Sequence, residues 1–93
     1  MGAVKNVFQT RQFKKDLKRV GKRGKDIQKL KVAIVALAQG HRLGLQYRDH
    51  PLSGEWMDSR DCHIEPDWLL IYRLANDCLT LERTGSHSDL FKS

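Results

Sequence analysis

Phe13, Leu17 and Val20 recur at steps of four and three residues among lysines and arginines, the spacing that stacks side chains on one helix face. Thr10 stands just ahead, with a hydroxyl able to cap such a helix. Gly21 and Gly24 supply the left-handed geometry in which helices stop. Asp26 opens a second helix, whose Ile27, Leu30, Ile34, Leu37 and Ala38 form an apolar stripe running to Gly40. The pattern predicts that these two helices pack as a hairpin, preceded by a short strand over Lys5 to Gln9 that carries Val7 and Phe8.

From Gly40 to Gly54 the periodicity disappears. A connection that long in a small domain is usually functional or disordered, and its aromatic, basic and histidine side chains favour function. Alternation then resumes. Glu55 to Glu65 is predicted as one strand, with Trp56, Cys62 and Ile64 on one side and Met57, Asp61, His63 and Glu65 on the other. Pro66-Asp67 reads as a turn. Trp68 to Tyr72 is apolar at every position, as in a central strand covered on both faces. Asn76-Asp77 reads as a tight hairpin turn between that strand and a last one from Leu79 to Thr84. Ser86 with Asp89 three residues on resembles a helix-opening box, so His87 to Phe91 is predicted as a short helical turn. Together the elements predict one α+β domain over residues 1–93, with an antiparallel meander after the helical hairpin and a short helix at its C-terminal end.

Composition sharpens this in two ways. With 93 residues, the chain can build a single core. Its net charge of +6 and pI near 9.6 draw polyanions, which points to RNA, DNA or an acidic protein as partner. Ten of its lysines and arginines crowd between Arg11 and Lys31, opposed there only by Asp16 and Asp26. No apolar run approaches the roughly twenty residues of a membrane helix, and no signal or lipid-anchor pattern opens the chain. A soluble cytoplasmic protein is expected, with no membrane partner and with Cys62 and Cys78 as reduced, packed thiols.

Three of the four histidines, His50, His63 and His87, fall at predicted strand ends and loops, and His63 has Asp61, Glu65 and Asp67 nearby in sequence. Their spacings match no short metal-ligand pattern, and Gly21 and Gly24 around Lys22-Arg23 lack the spacing of a phosphate loop. Neither a metal nor another cofactor is expected. Metal-free RNA cleavage suits the set better. The neighbouring 2′-hydroxyl attacks the phosphate, one group accepts its proton, another protonates the leaving 5′-oxygen, and a cation steadies the phosphate. Histidine serves either proton role near neutral pH, and arginine meets two phosphate oxygens at once.

Three separated motifs carry a resemblance. Tyr47-Arg48-Asp49-His50-Pro51-Leu52 is followed by Gly54-Glu55-Trp56. Arg60-Asp61-Cys62-His63-Ile64-Glu65-Pro66-Asp67-Trp68-Leu69-Leu70-Ile71-Tyr72 comes next, and Glu82-Arg83-Thr84-Gly85-Ser86-His87-Ser88-Asp89-Leu90-Phe91 closes the chain. With the basic helices before them, these resemble YafQ-type toxins of the RelE superfamily over nearly the whole length. The resemblance implies a RelE-like α+β fold, an antiparallel sheet with helices on one side, and ribosome-dependent cleavage of mRNA in the decoding site. It also implies that His50, His63, Asp67 and His87 form the catalytic set, that Arg83 binds phosphate, and that Trp68 and Phe91 line the site. The basic helices, through Lys14, Lys15, Lys18, Arg19, Lys22 and Arg23, would face ribosomal RNA, and an acidic antitoxin would neutralise the toxin in a complex that weakens as salt rises. Cys62 departs from the small residue, such as alanine, common in the family at that place, which puts nothing catalytic in doubt. Which histidine is acid and which is base stays open.

Blander readings stand beside these. Trp68 and Tyr72 suit a plain core, Phe91 a C-terminal anchor, and Arg83 an ion pair with Glu82 or Glu65. Two other functions are compatible with the chain: a non-enzymatic toxin of the same fold that inhibits a protein such as gyrase, and a basic RNA-binding module without activity.

Overall fold

A computed structural model describes residues 2–91. Strand β1 (Asn6–Gln9) leads into helix α1 (Arg11–Lys22) and helix α2 (Ile27–Ala38), and then come β2 (His50–Pro51), β3 (Arg60–Glu65), β4 (Trp68–Ala75), β5 (Cys78–Gly85) and α3 (His87–Leu90). The sheet order is β1-β5-β4-β3-β2. The β3 to β5 part is the antiparallel meander expected, β2 adds an unexpected antiparallel edge strand, and β1 joins β5 in parallel. The sheet is therefore mixed.

Local chemistry accounts for most element boundaries. The Thr10 hydroxyl accepts from the Phe13 amide and the Asp26 carboxylate from the Gln28 amide, capping α1 and α2. Gly24, at φ +84°, makes the turn between them, while Gly21 lies inside α1 and does not end it. Asn76 and Asp77 take φ of 52° and 61°, as a tight β4–β5 hairpin requires.

The strand predicted from Glu55 starts only at Arg60. Gly54–Trp56 is instead a single 3-10 turn, so Trp56 faces the sheet from a loop. The long connection is likewise ordered, holding a 3-10 turn at Leu45–Tyr47 and the edge strand β2.

Both helices lie on one side of the sheet, α1 against β5 and α2 against β3. Phe13, Val20, Leu30 and Leu37 meet Cys62, Trp68, Leu70, Tyr72, Leu79 and Leu81 there in the main core. Leu69 and Ile71 point the other way and pack with Leu90, Leu52 and Trp56. β4 is thus buried on both faces, as its unbroken apolar run anticipates. β1 pairs with β5 only from Cys78 to Leu81. Beyond that point α1 covers the strand edge, where the Thr10 hydroxyl donates to the Glu82 carbonyl and the Asp16 carboxylate accepts from the Thr84 amide. Asp16 is fully buried and also accepts from Arg83, Arg19 and Gln12.

Candidate active site

The sheet face away from α1 and α2 collects the histidines. His50 lies in β2 directly opposite Asp61 in β3. His63 lies two residues further along β3, opposite Leu69, which in turn is opposite Gly85. Gly85 leads into Ser86, and the reciprocal box between Ser86 and Asp89 starts α3 and turns His87 back over the sheet. A Cβ at Gly85 would come within 2.9 Å of the Asp89 carboxylate, so this close approach calls for glycine. The ring centroids of His50 and His63 are 6.5 Å apart, those of His63 and His87 5.6 Å, and those of His87 and Phe91 6.5 Å.

Two carboxylates flank the rings in different ways. Asp67, in the β3–β4 turn, is largely exposed and accepts from both the backbone amide and Nδ1 of His87, at 2.9 and 2.6 Å. Those two bonds hold its carboxyl below the ordinary carboxylate range. Asp61 is buried, with 5% of its side chain exposed, and its Oδ1 lies 3.0 Å from Nδ1 of His50. That Oδ1 has no hydrogen-bond partner, because His50 Nδ1 is directed to the Arg48 carbonyl at 2.8 Å. Burial pushes the Asp61 carboxyl up, against the pull of His50, His63 and His87. Burial also lowers the pKa of His63, helped by His87, Arg48 and His50 and opposed by Asp61. Neutral His63 is thereby favoured at physiological pH.

Residues 5–92 match the family model described as the bacterial toxin of type II toxin-antitoxin systems, YafQ. The chain is 48% identical over 81 residues to the mRNA interferase toxin YafQ of Escherichia coli K12, covering 86% of this chain and 88% of that protein. This chain belongs to the YafQ toxin family. The toxin in the E. coli DinJ-YafQ toxin-antitoxin complex superposes with a TM-score of 0.86 at 45% identity, over 91% of this chain and 94% of that one. A metal-bound toxin from Helicobacter pylori gives 0.87 at 41% identity, over 92% and 98%.

Not every residue singled out from the YafQ resemblance lies where it was expected. His50, His63, His87, Asp67 and Phe91 share the open face, and Phe91 is partly exposed there. Trp68 does not line it. Only 1% exposed, it packs on the helix side and donates through Nε1 to the Thr84 hydroxyl, because the β3–β4 register sends it to the core. Arg83 pairs with neither Glu82 nor Glu65. Its Nε and Nη2 both donate to buried Asp16, at 2.7 and 3.1 Å, so the two-pronged grip expected for phosphate is already engaged inside the protein.

The basic surface of this YafQ-family chain divides similarly. Lys14, Lys15, Lys18 and Lys22 are exposed along α1. Arg23 donates to Asp89 through both terminal nitrogens, and Arg19 donates to Asp16 and approaches Asp89, so these two tie α1 to α3. Cys62 is buried, Cys78 is half-buried, and both are free thiols. Among the described residues no group of three or more His, Cys, Asp or Glu side chains is spaced to hold a metal ion, and no helix is long and apolar enough to cross a membrane.

Asp61 is the site residue the sequence reading left off its catalytic set. The signal that could have found it is its alternation with His63 in one strand, which puts both on the same face.

Proposed function

We infer that this YafQ-family chain cuts mRNA in the ribosomal A site by metal-free proton transfer and is held inactive by an antitoxin. That it is an endoribonuclease toxin rests on the family and on the mRNA interferases it resembles. What is proposed is how it cuts. One observation carries the reading: three imidazoles stand within 5.6 to 6.5 Å of one another in sequence along one open face, with a carboxylate at each end.

In this mechanism the enzyme supplies no nucleophile. Neutral His63 takes the proton of the ribose 2′-hydroxyl, whose oxygen forms a bond to phosphorus as the bond to the 5′-oxygen breaks. His87 gives a proton to that 5′-oxygen, leaving a 2′,3′-cyclic phosphate and a 5′-hydroxyl. Asp67 orients the His87 ring through Nδ1 and balances positive charge on it. Phe91, beside His87, offers an apolar face to the substrate. The lysines along α1 add long-range attraction to ribosomal RNA.

The same charge suits an acidic antitoxin. The E. coli relative has been solved as a toxin-antitoxin complex with DinJ, and an acidic segment laid over this chain's +6 surface would gain attraction while covering the open face. The deciding experiment maps cuts on a translated message with purified protein and programmed ribosomes. The unaltered chain should leave cyclic phosphate ends, and His87→Ala should lose cutting by roughly 10²- to 10⁴-fold while still binding ribosomes. Full-rate cutting by that variant removes His87 from the mechanism. Blocked supercoiling without cut RNA identifies the gyrase-type toxin instead.

A further inference from the structure

A concavity opens beside the row of histidines, and apart from His63 its lining takes no part in the proton transfers above. It is a cavity of about 590 Å³ between α2 and the 3-10 turn ahead of β2, lined by Lys29, Val32, Gln46, Tyr47, Arg48 and His63 together with Ile64 to Pro66. Its size falls within the roughly 300–1,000 Å³ of small-ligand sites. His63 is common to this cavity and to the imidazole row, so whatever fills it lies next to the reacting bond.

The wall has the chemistry of a base-reading surface. Tyr47 is half-buried against the main core, which fixes an aromatic ring at the rim. Val32 is 54% exposed on α2, an apolar surface left open to water. Gln46 is exposed and carries an amide with donor and acceptor sides. Glu65 would repel a phosphate, but Lys25 and Lys29 each reach its carboxylate at 2.9 Å, and their two positive charges offset its single negative one. Arg48 is exposed and takes the left-handed conformation, at φ 49° and ψ 42°. Its carbonyl is meanwhile tied to His50. Strain of that kind, on a non-glycine residue fixed between site and cavity, collects at functional positions.

We propose that this cavity holds the nucleobase next to the cleaved bond: Tyr47 stacks on it, Gln46 reads its edge, and Arg48 supplies the phosphate contact from which Asp16 diverts Arg83. An unstacked base of single-stranded RNA presents flat apolar faces and a polar edge, and proteins meet it with aromatic stacking and side-chain hydrogen bonds. An acidic antitoxin peptide would suit the cations but not the aromatic rim beside His63. The inference rests on the ribonuclease reading and adds to it where sequence preference comes from.

The test is a cut-site map over a library of translated messages, made with the unaltered chain, Gln46→Ala, Tyr47→Phe and Tyr47→Leu. Tyr47→Leu should lower kcat/KM on the order of tenfold to a hundredfold, Tyr47→Phe should retain it, and Gln46→Ala should change which bases flank the cuts. Gln46 is exposed, so its variant keeps the test intact if Tyr47→Leu fails to fold. Cutting with an unchanged spectrum in Gln46→Ala and an undiminished rate in Tyr47→Leu overturns the base pocket and leaves the nuclease standing. Variants that lose antitoxin affinity but keep spectrum and rate assign the cavity to the peptide and overturn it too. No cutting by the unaltered chain removes the nuclease reading and the pocket with it.

Discussion

Two buried carboxylates, one on each side of the sheet, show how differently the same group is used. Asp16, on the helix side, is fully buried and accepts hydrogen bonds from Gln12, Arg19, Arg83 and the Thr84 amide. Asp61, on the open side, is almost as buried, yet one of its oxygens accepts nothing. A desolvated charge with its full set of donors fastens structure, whereas one left short of donors is an uncompensated cost that a fold keeps for another reason. In the proposed mechanism that reason is the row of imidazoles.

The contrast can be broken most forcefully at Asp16. Asp16→Ala leaves Arg83 without its partner and strips an acceptor from the edge of β5, so stability should fall by roughly 3–5 kcal/mol. Denaturant midpoints measure this, and a loss under 1 kcal/mol would show that water or another acceptor replaces the carboxylate.

Asp61→Asn should do the reverse. Stability should change by no more than about 1 kcal/mol, because the desolvation cost vanishes with the charge, while catalysis changes its pH dependence. The Asp61 charge favours the protonated form of His63. Removing it lowers that pKa further, so the acid limb of the rate profile should move to lower pH. An acid limb that stays put disconnects Asp61 from the base.

A smaller effect is expected where the two sides are laced together. Ser86→Ala removes one half of the box that starts α3 and should cost about 1 kcal/mol. Asp89, the other half, is held below the ordinary carboxylate value of 3.8, chiefly by its bond to Arg23. A carboxyl depressed in the folded state adds stability above its unfolded pKa and loses it as pH falls through the folded one. Asp89→Asn should therefore flatten the fall in stability below about pH 4. A fall as steep as in the unaltered chain would show that the Arg23 pair contributes nothing.

Much of this was legible in the sequence because it is local. Helical spacing, caps, turn residues and the apolar run of β4 act over a few positions, and they place α1, α2, the meander and the capping box. The convergence of three imidazoles is non-local: the sequence suggests it only through the family motifs and the carboxylates near His63, and the rings do stand in a row. What stayed hidden depends on long-range register. Arg83 and Asp16 are 67 residues apart, and β5 slips against β4 between Ile71 and Tyr72, so simple alternation does not say which way Arg83 faces. Trp68 shows the same limit, since an apolar stretch buried on both faces offers no contrast from which to choose a side. Glu55 and Trp56 alternate well enough for a strand, yet Asp58, at φ 78°, turns the chain before β3 begins.

The hairpin turn at Asn76-Asp77 has a practical consequence. It closes β4 and β5 at Ala75 and Cys78, while the histidines gather near the other end, at Leu69 and Gly85. Six residues of extended strand separate the two, roughly 20 Å. The Asp77 carbonyl is itself anchored by the amides of Lys5 and Asn6. A dye or tether attached at the Asn76 side chain would therefore ride on a rigid corner of the molecule, far enough from the reacting groups to follow the toxin onto its target without disturbing them.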